Sequence, residues 1–483
     1  MRRTDAVLIA ALFAKGAIAQ NGNGDSARTP PPSTSTLRKS YVIPVVELPL
    51  FIAGLNGAAR VIYPNEMQDG NKVYQTTYAS IREHFVDQPW VYDKDPFDIN
   101  QFSHPYLGAT LFSFPRSLGH SFWTSLVYAA VGSFLWEMAG ETTPPSKNDL
   151  ITTGQAGSLL GEALYRIAAY VHPGRDGERG SAFRAALADV IDPVTAFNHA
   201  AFGHHYKTRL SDVDPAVSWQ LRLGGAKDAF ARDYTEPSTL LRQDARLDYS
   251  IVYGLPGQPG YEYKHPLSYF DFHVSSVFNA RKPLESVTLN GLLLGARTGE
   301  HSSHTRGIWG LYGSYDYFAP YLFRVSSTAL SLGETRQISA GRAIALQTSA
   351  LAGVGFGAAG STRGITDTPT GEALRDYHYG VTPQTLVGAR LILGDRLMID
   401  GTARGYYVSG TGSDDTNGSE SIFRGDAGAT LRIIGGHSLG ARFVSSYRQA
   451  RYGSVPDRKF SEQTLMVSYS FLGSSHFGVV DWR

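Results

Sequence analysis

The sequence predicts an α plus transmembrane antiparallel β-barrel architecture, with about twelve strands preceded by a small, mostly helical domain. Three observations carry this. The hydrophobic period changes once, from helical to two, near residue 215. The segments beyond that point are each apolar on one face and polar or charged on the other. Charged residues make up only 18% of the 483 residues, whereas there are 52 Gly, 24 Phe, 27 Tyr and 6 Trp.

Composition also excludes. With 44 basic and 43 acidic residues the net charge is +1, so the chain lacks the basic field a nucleic-acid partner needs. No Cys is present, which removes disulfide scaffolds, thiolate zinc sites, iron–sulfur clusters and cysteine nucleophiles. No uninterrupted apolar run of about 18 residues occurs, which argues against a polytopic helical membrane protein.

The first residues read as an export signal. Arg2 and Arg3 precede the apolar stretch Ala6 to Ala14, and Ala17-Ile18-Ala19 gives a small-x-small cleavage site, so residues 1–19 are expected to be removed. Residues 20–39 are rich in Gly, Ser, Thr and Pro and bury little, the composition of a disordered linker. Residues 40–210 are mostly helical. Pro105 to Leu118, Ser121 to Gly140, Leu150 to Val171 and Ser181 to Ile191 have helical spacing. Pro115 should kink or end the first, and the second reads as a buried helix. Ser146 and Asp149 form a capping signal for the third. Gly157 and Gly161, four apart, give that helix a face for close contact.

Residues 216–483 read as the barrel. The expected strands are 216–224, 242–254, 267–280, 284–296, 306–319, 321–333, 337–353, 381–394, 396–409, 421–435, 437–448 and 461–472, with 475–483 as an alternative last strand. An even count puts both barrel ends on one side. Short turns are expected at 334–336, 394–395 and 435–437, and long loops at 354–380, 410–420 and 449–460. In the first half, long 255–266 and short 281–283 break this alternation. Short turns belong on the periplasmic side, which places the helical domain there or inside the lumen. The polar face, expected to line the lumen, carries Arg222, Arg246, Asp248, Asp271, Asp400, Arg404, Arg424, Asp426 and Arg432.

Several motifs invite a sharper reading. Gly436-His437-Ser438-Leu439-Gly440 has the spacing of a nucleophile elbow, but its flanks alternate as strands, so a hairpin turn is expected. Gly353, Gly355 and Ala358 mimic a dinucleotide fingerprint without a βαβ unit, and a glycine-rich barrel loop is the better account. His199, His204 and His205 lack a carboxylate at matching spacing, so no metal is expected there. Asp271, His273 and Ser275 share one strand face, the order of an acid–base–nucleophile relay. His273-Val274-Ser275 is similar to part of the motif of outer-membrane phospholipase A, but Ser276-Val277 stands where Asn-Gly would follow.

The densest polar constellation lies in the helical part. His104-Pro105, Gly108, Arg116, Gly119, Ser133, Trp136-Glu137, Glu141, Pro144, Ser146, Asp149, Gly154, Gly157, Gly161-Glu162 and Arg166 fall in order. Helical spacing puts Ser133, Glu137 and Glu141 on one face and makes Glu162 and Arg166 an i,i+4 pair. Carboxylates in apolar surroundings need partners, so Arg116, Arg166 or a histidine should meet them. This pattern resembles the bacterial domain-of-unknown-function 3943 family over about residues 97–200, including Asp192-Pro193 and Asn198. The resemblance implies a secreted protein whose helical domain precedes an outer-membrane barrel; it implies no activity.

Three readings of the cluster follow: a buried network that docks the domain on the barrel, a site for an anionic lipid headgroup or a metal, or hydrolysis with Glu137 or Glu162 as general base. The expectation is a plugged or gated outer-membrane barrel in envelope transport or maintenance. The alternative is a lipid or lipopolysaccharide hydrolase, with candidates Glu137, Glu162, Asp271, His273 and Ser275. Neither cofactor nor metal is expected. Expected partners are outer-membrane lipid, lipopolysaccharide and the barrel-assembly machinery; the sequence leaves oligomeric state open.

Overall fold

The computed structural model describes residues 39–482, apart from 69, 93–94, 173–181, 204–205, 207–209, 211–212, 233–239, 279, 281, 300, 303, 321–322, 342, 362–376, 411–417 and 453–454. The expected signal peptide and nearly all of the linker lie outside the described residues, as do His204 and His205.

Helix α1 spans Val42–Ile62 and is followed by a two-strand ribbon, β1 Met67–Gln68 and β2 Asn71–Lys72. Helix α2, Tyr78–Val86, opens on a capping box in which Thr77 and Ser80 exchange side-chain and backbone hydrogen bonds. A π-turn at Ile99–Ser103 leads into α3, His104–Ser117, which ends two residues beyond its internal Pro115. The Ser121 side chain caps α4, Phe122–Ala139. Ser146 caps α5, Lys147–Ile151, which continues through a π-turn at Thr152–Ala156 into α6, Gly157–Val171. Two shorter helices close this part: α7, Ala182–Ile191, and α8, Pro193–Phe202, the latter capped by Asp192.

Twelve antiparallel strands then close on themselves. They are β3 Val217–Arg232, β4 Leu240–Tyr253, β5 Phe270–Val277, β6 Leu284–Thr298, β7 Thr305–Phe318, β8 Phe323–Ala340, β9 Ile344–Ser361, β10 Tyr377–Leu393, β11 Leu397–Val408, β12 Gly418–Ile434, β13 His437–Tyr452 and β14 Val455–Leu472. Neighbours in sequence pair, and β14 pairs with β3 to complete the ring, so every edge is satisfied. Both barrel ends lie at one mouth, together with the segments 254–269, 299–304, 341–343, 394–396 and 435–436.

Close packing of α3 on α6 organises the helices. A Cβ on Gly157 would lie 2.5 Å from the Cα of Gly108, and one on Gly161 would lie 2.8 Å from the Phe112 ring. The two backbones touch because neither glycine has a side chain to hold them apart. Leu111, Phe112, Leu160 and Ala163 fill the seam, and α4 covers its far side through Phe122, Ala129 and Trp136.

This layer sits on the outside of the barrel. Asn100 Nδ2 and Gln101 Nε2 donate to the Tyr377 and Tyr379 hydroxyls at 2.8 and 3.2 Å, and the Tyr315 hydroxyl donates to Gln101 O at 2.6 Å. Leu159, Phe97 and Tyr92 pack on Gly313, Tyr317 and Phe356. On β7, β9 and β10 these positions alternate with Tyr312, Leu351 and Leu386, which line the lumen. The helices also reach both barrel mouths. Arg166 Nη2 donates to Pro266 O at 2.8 Å in segment 254–269, and Lys282 pairs with Asp98 at 2.5 Å in the turn beyond β5.

Several expectations are corrected here. Apolar residues of the helical part pack against outward side chains of β4 to β7, β9 and β10, a contact the sequence did not suggest. Helix α4 is not buried all round: Trp123, Val127 and Val131 face outward. Glu141 lies past the end of α4 and leaves the face that Ser133 and Glu137 occupy. The turn expected at 334–336 is strand, since Gly333 pairs with Leu351 and β8 continues to Ala340. The long loop expected at 449–460 is also strand, because β13 and β14 pair out to Tyr452 and Val455. Gly353 and Gly355 lie within β9, not in a loop. After β14 the chain forms a short 3-10 turn at Ser475–Gly478, so the alternative last strand does not form.

Candidate functional site

The lumen holds a cavity of about 210 Å³. Its walls follow from period-two alternation. Arg222 of β3, Arg246 and Asp248 of β4, Asp271 of β5, Asp400 and Arg404 of β11, and Arg424 and Asp426 of β12 all line this one space. Arg442 of β13 joins them, pairing with both Asp400 and Asp426; Gly440 and Ala441 before it blur the polar alternation that would mark it in the sequence.

Ion pairs cross the lumen. Arg424 Nη2 lies 3.4 Å from Glu285 of β6, on the opposite side of the ring. Arg404 Nη1 pairs with Asp316 of β7 at 3.0 Å, and the Tyr406 hydroxyl donates to the same carboxylate at 2.8 Å. Arg246 bridges Glu285 at 2.6 Å and Asp228 at 2.9 Å. Toward the mouth opposite the barrel ends, Phe318, Phe323, Val325, Tyr406, Val408 and Ile422 form an apolar stopper, with Arg448 and Glu420 paired beside it at 2.5 Å.

At the other mouth the segment that follows β14 packs against lumen side chains. Lumen side chains hold its backbone carbonyls. Arg432 Nη2 donates to Ser474 O at 2.9 Å, Arg390 Nη2 to Phe477 O at 3.2 Å, and Gln337 Nε2 to Val480 O at 2.8 Å. The Phe477 ring is buried against Ala345, Ile392, Met398 and Leu472, with the Arg432 guanidinium 5.0 Å from its centre. His476 and Phe477 both have left-handed backbone, with φ of 52° and 51°, which turns the chain back into the mouth. Trp482 stacks against Arg306 farther round the rim.

Asp271, His273 and Ser275 line the cavity wall on successive inward positions of β5. Among the described residues no hydrogen bond joins them into a relay; they stand in a row along the strand. The Gly436 to Gly440 motif is a hairpin, with Gly435 at φ 53° in the turn and Ser438 donating to Ser470 O at 3.1 Å. No cluster of metal-ligating side chains occurs among the described residues.

The second polar centre lies between α3 and α6. Glu162 accepts from Arg116 Nε at 2.6 Å and Nη2 at 3.0 Å, and from Arg166 Nε at 2.8 Å. Glu162 and Arg166 are wholly buried. Arg116 also donates to His120 O at 2.9 Å and stacks over the Tyr165 ring at 4.6 Å. Both carboxylate oxygens are therefore engaged by guanidinium groups, a pair of charge-assisted contacts that favours the ionised carboxylate in this buried seam.

Around α4 the other polar residues have local duties. Glu137 accepts from Ser146 N at 2.7 Å, and Ser133 Oγ donates to Asp149 O at 3.2 Å. Asp149 Oδ1 accepts from Asn148 Nδ2 at 2.7 Å and lies 3.9 Å from His104 Nδ1. Glu141 accepts from Trp136 Nε1 at 2.8 Å and from Thr143 Oγ1 at 3.0 Å. Burial raises the Glu141 carboxyl above its ordinary pKa, and nearby Asp95 adds to this.

Fold and sites together define the class: a closed twelve-strand antiparallel barrel with a helical domain on its flank. Residues 89–194, within the helical part, match the model of the family described as Domain of unknown function (DUF3943). No curated protein matches the chain. Among solved structures, the COG4313 outer membrane channel from Pseudomonas putida F1 is 11% identical, covering 54% of this chain and 97% of that one, with a TM-score of 0.28. A Pseudomonas aeruginosa FadL homologue is 11% identical, covering 59% and 94%, with a TM-score of 0.23. The translocator domain of the autotransporter NalP from Neisseria meningitidis is 13% identical, covering 53% and 88%, also at 0.23. These overlays are loose, and the barrel rests on the chain's own closed ladder.

Proposed function

We propose that the chain is an outer-membrane barrel whose lumen is held shut and opens at the mouth closed by residues 473–482, serving envelope transport or maintenance. The membrane setting is supported by outward positions on β3 and β8 to β14, where Leu223, Leu330, Val354, Val387, Ile399, Phe423, Phe443, Leu465 and Val467 are exposed. A soluble barrel would cover such a belt or make it polar. Export with loss of residues 1–19, insertion by the barrel-assembly machinery, and contact with outer-membrane lipid and lipopolysaccharide belong to the same reading.

The observation that carries the gate is the set of hydrogen bonds from Arg390, Arg432 and Gln337 to backbone carbonyls of one chain segment. The segment beyond Gly473 follows the last strand and has no Cys to bond it to the barrel, so its removal should leave all twelve strands intact. In planar bilayers, the protein ending at Gly473 should conduct ions in steps, whereas the full chain should stay mostly closed. Equal current from both forms would overturn the gate. Fatty-acid release from envelope lipid by the full chain, lost in Ser275→Ala, would favour a hydrolase instead.

A further inference from the structure

Two helices of the layer, α1 and α4, are built inside out for a water-soluble domain. In α3, α4 and α6 the ionisable side chains Arg116, Glu137, Glu162 and Arg166 are buried, whereas exposed charges of the layer, among them Arg82, Glu83, Arg184 and Asp189, lie on α2 and α7. The outward sides of α1 and α4 are apolar. On α1, Val42, Val45, Val46 and Leu50 are exposed, and the exposed positions that follow, Ala53, Gly54, Gly57 and Ala58, are small and uncharged. On α4, Trp123, Val127 and Val131 recur every four residues on the open face, with Val127 57% exposed. The one charged residue of α4, Glu137, is buried. Soluble helices do the reverse, placing charge outside and aliphatic side chains inside.

Position gives this face a partner. The layer covers the outward wall of β4 to β7, burying Ile251, Phe270, Leu289 and Tyr315, the same class of position that stays exposed and apolar on β12 to β14. It therefore interrupts the barrel's apolar belt, and the outer faces of α1 and α4 replace the stretch it covers. Helix α1 has 21 residues and is apolar enough to cross a membrane by length and composition. At 1.5 Å per residue that is about 31 Å, the thickness of a bilayer's hydrocarbon core.

We infer that the outer faces of α1 and α4 contact lipid acyl chains, so that the helical domain lies within the bilayer beside the barrel and the Arg116–Glu162–Arg166 trio is an intramembrane ion network. This rests on the barrel itself being membrane-embedded. The ion trio fits that setting, since charges at membrane depth persist only when paired and turned away from lipid.

The absence of Cys allows single reporters to be placed cleanly. Val46→Cys and Val127→Cys on the helices, Leu465→Cys on the barrel and Asp395→Cys in a turn would each carry an environment-sensitive fluorophore. The proteins would be reconstituted in phosphatidylethanolamine–phosphatidylglycerol vesicles containing spin-labelled acyl chains. The reporters at 46 and 127 should lose emission to the extent that the one at 465 does, while that at 395 keeps its emission. Unlabelled thiols at 46 and 127 should resist a membrane-impermeant maleimide. Quenching at 465 alone, with rapid maleimide reaction at 46 and 127, would place the helices in water and overturn the inference. Shielding at 46 and 127 without quenching, with cross-linking between copies, would give the face to a second copy and also overturn it. An unquenched reporter at 465 would remove the membrane reading beneath both.

Discussion

Glu162 shows how one side chain can order a domain. It meets Arg116 and Arg166 at once, inside a seam of apolar residues, and a carboxylate there is tolerable only because both guanidiniums satisfy it. Removing it strands two buried cations, so Glu162→Ala should lower stability by about 3–5 kcal/mol, read as a fall in the thermal unfolding midpoint of the purified protein. Glu162→Gln should also destabilise, because a neutral amide cannot balance two charges. A general base would behave differently: its Gln variant would keep the midpoint and lose an activity. The i,i+4 pair with Arg166 was visible in the sequence, and so was the need for a partner at Arg116. That one carboxylate takes both was not, because the second arginine arrives from another helix.

Among the elements, the α3–α6 crossing depends on glycine. With Gly157 a Cβ-length from the backbone of Gly108, any larger residue must drive the helices apart. Gly157→Leu should therefore cost about 1–3 kcal/mol or more and loosen the helical layer. Limited proteolysis should then cut between α2 and α8 while the barrel keeps its heat-dependent gel mobility; an unchanged digestion pattern would contradict this. The glycine spacing was legible because it is local to one helix. Helix α1 was not, since Pro44, Glu47, Pro49 and two glycines break its apolar pattern. The strands were legible as twelve alternating runs, but their ends were misplaced where they continue into polar sequence. Gly333-Glu334-Thr335-Arg336 looks like a turn, yet it pairs on both sides in β8. A strand's length beyond the apolar belt depends on its neighbours, which composition does not record.

For the whole molecule, two solvents explain the composition. Much of the sparse charge is gathered in the barrel lumen and in one helical network, while the outward faces of β12 to β14 and of α1 and α4 are apolar. The barrel and its direction of alternation could be read from sequence, since inward and outward residues alternate locally. Where the helices dock could not, because it depends on outward aromatics of β7 and β10 meeting a π-turn far away in the chain. Nor could the packing of the segment after β14 against lumen side chains, which depends on carbonyls and on two left-handed residues. A density map of the full chain in a lipid nanodisc tests this account most directly. It should show the helical layer inside the lipid annulus, flush with the barrel wall, and the segment after β14 folded into the lumen. Helical density inside the lumen, or beyond the edge of the lipid, would contradict it.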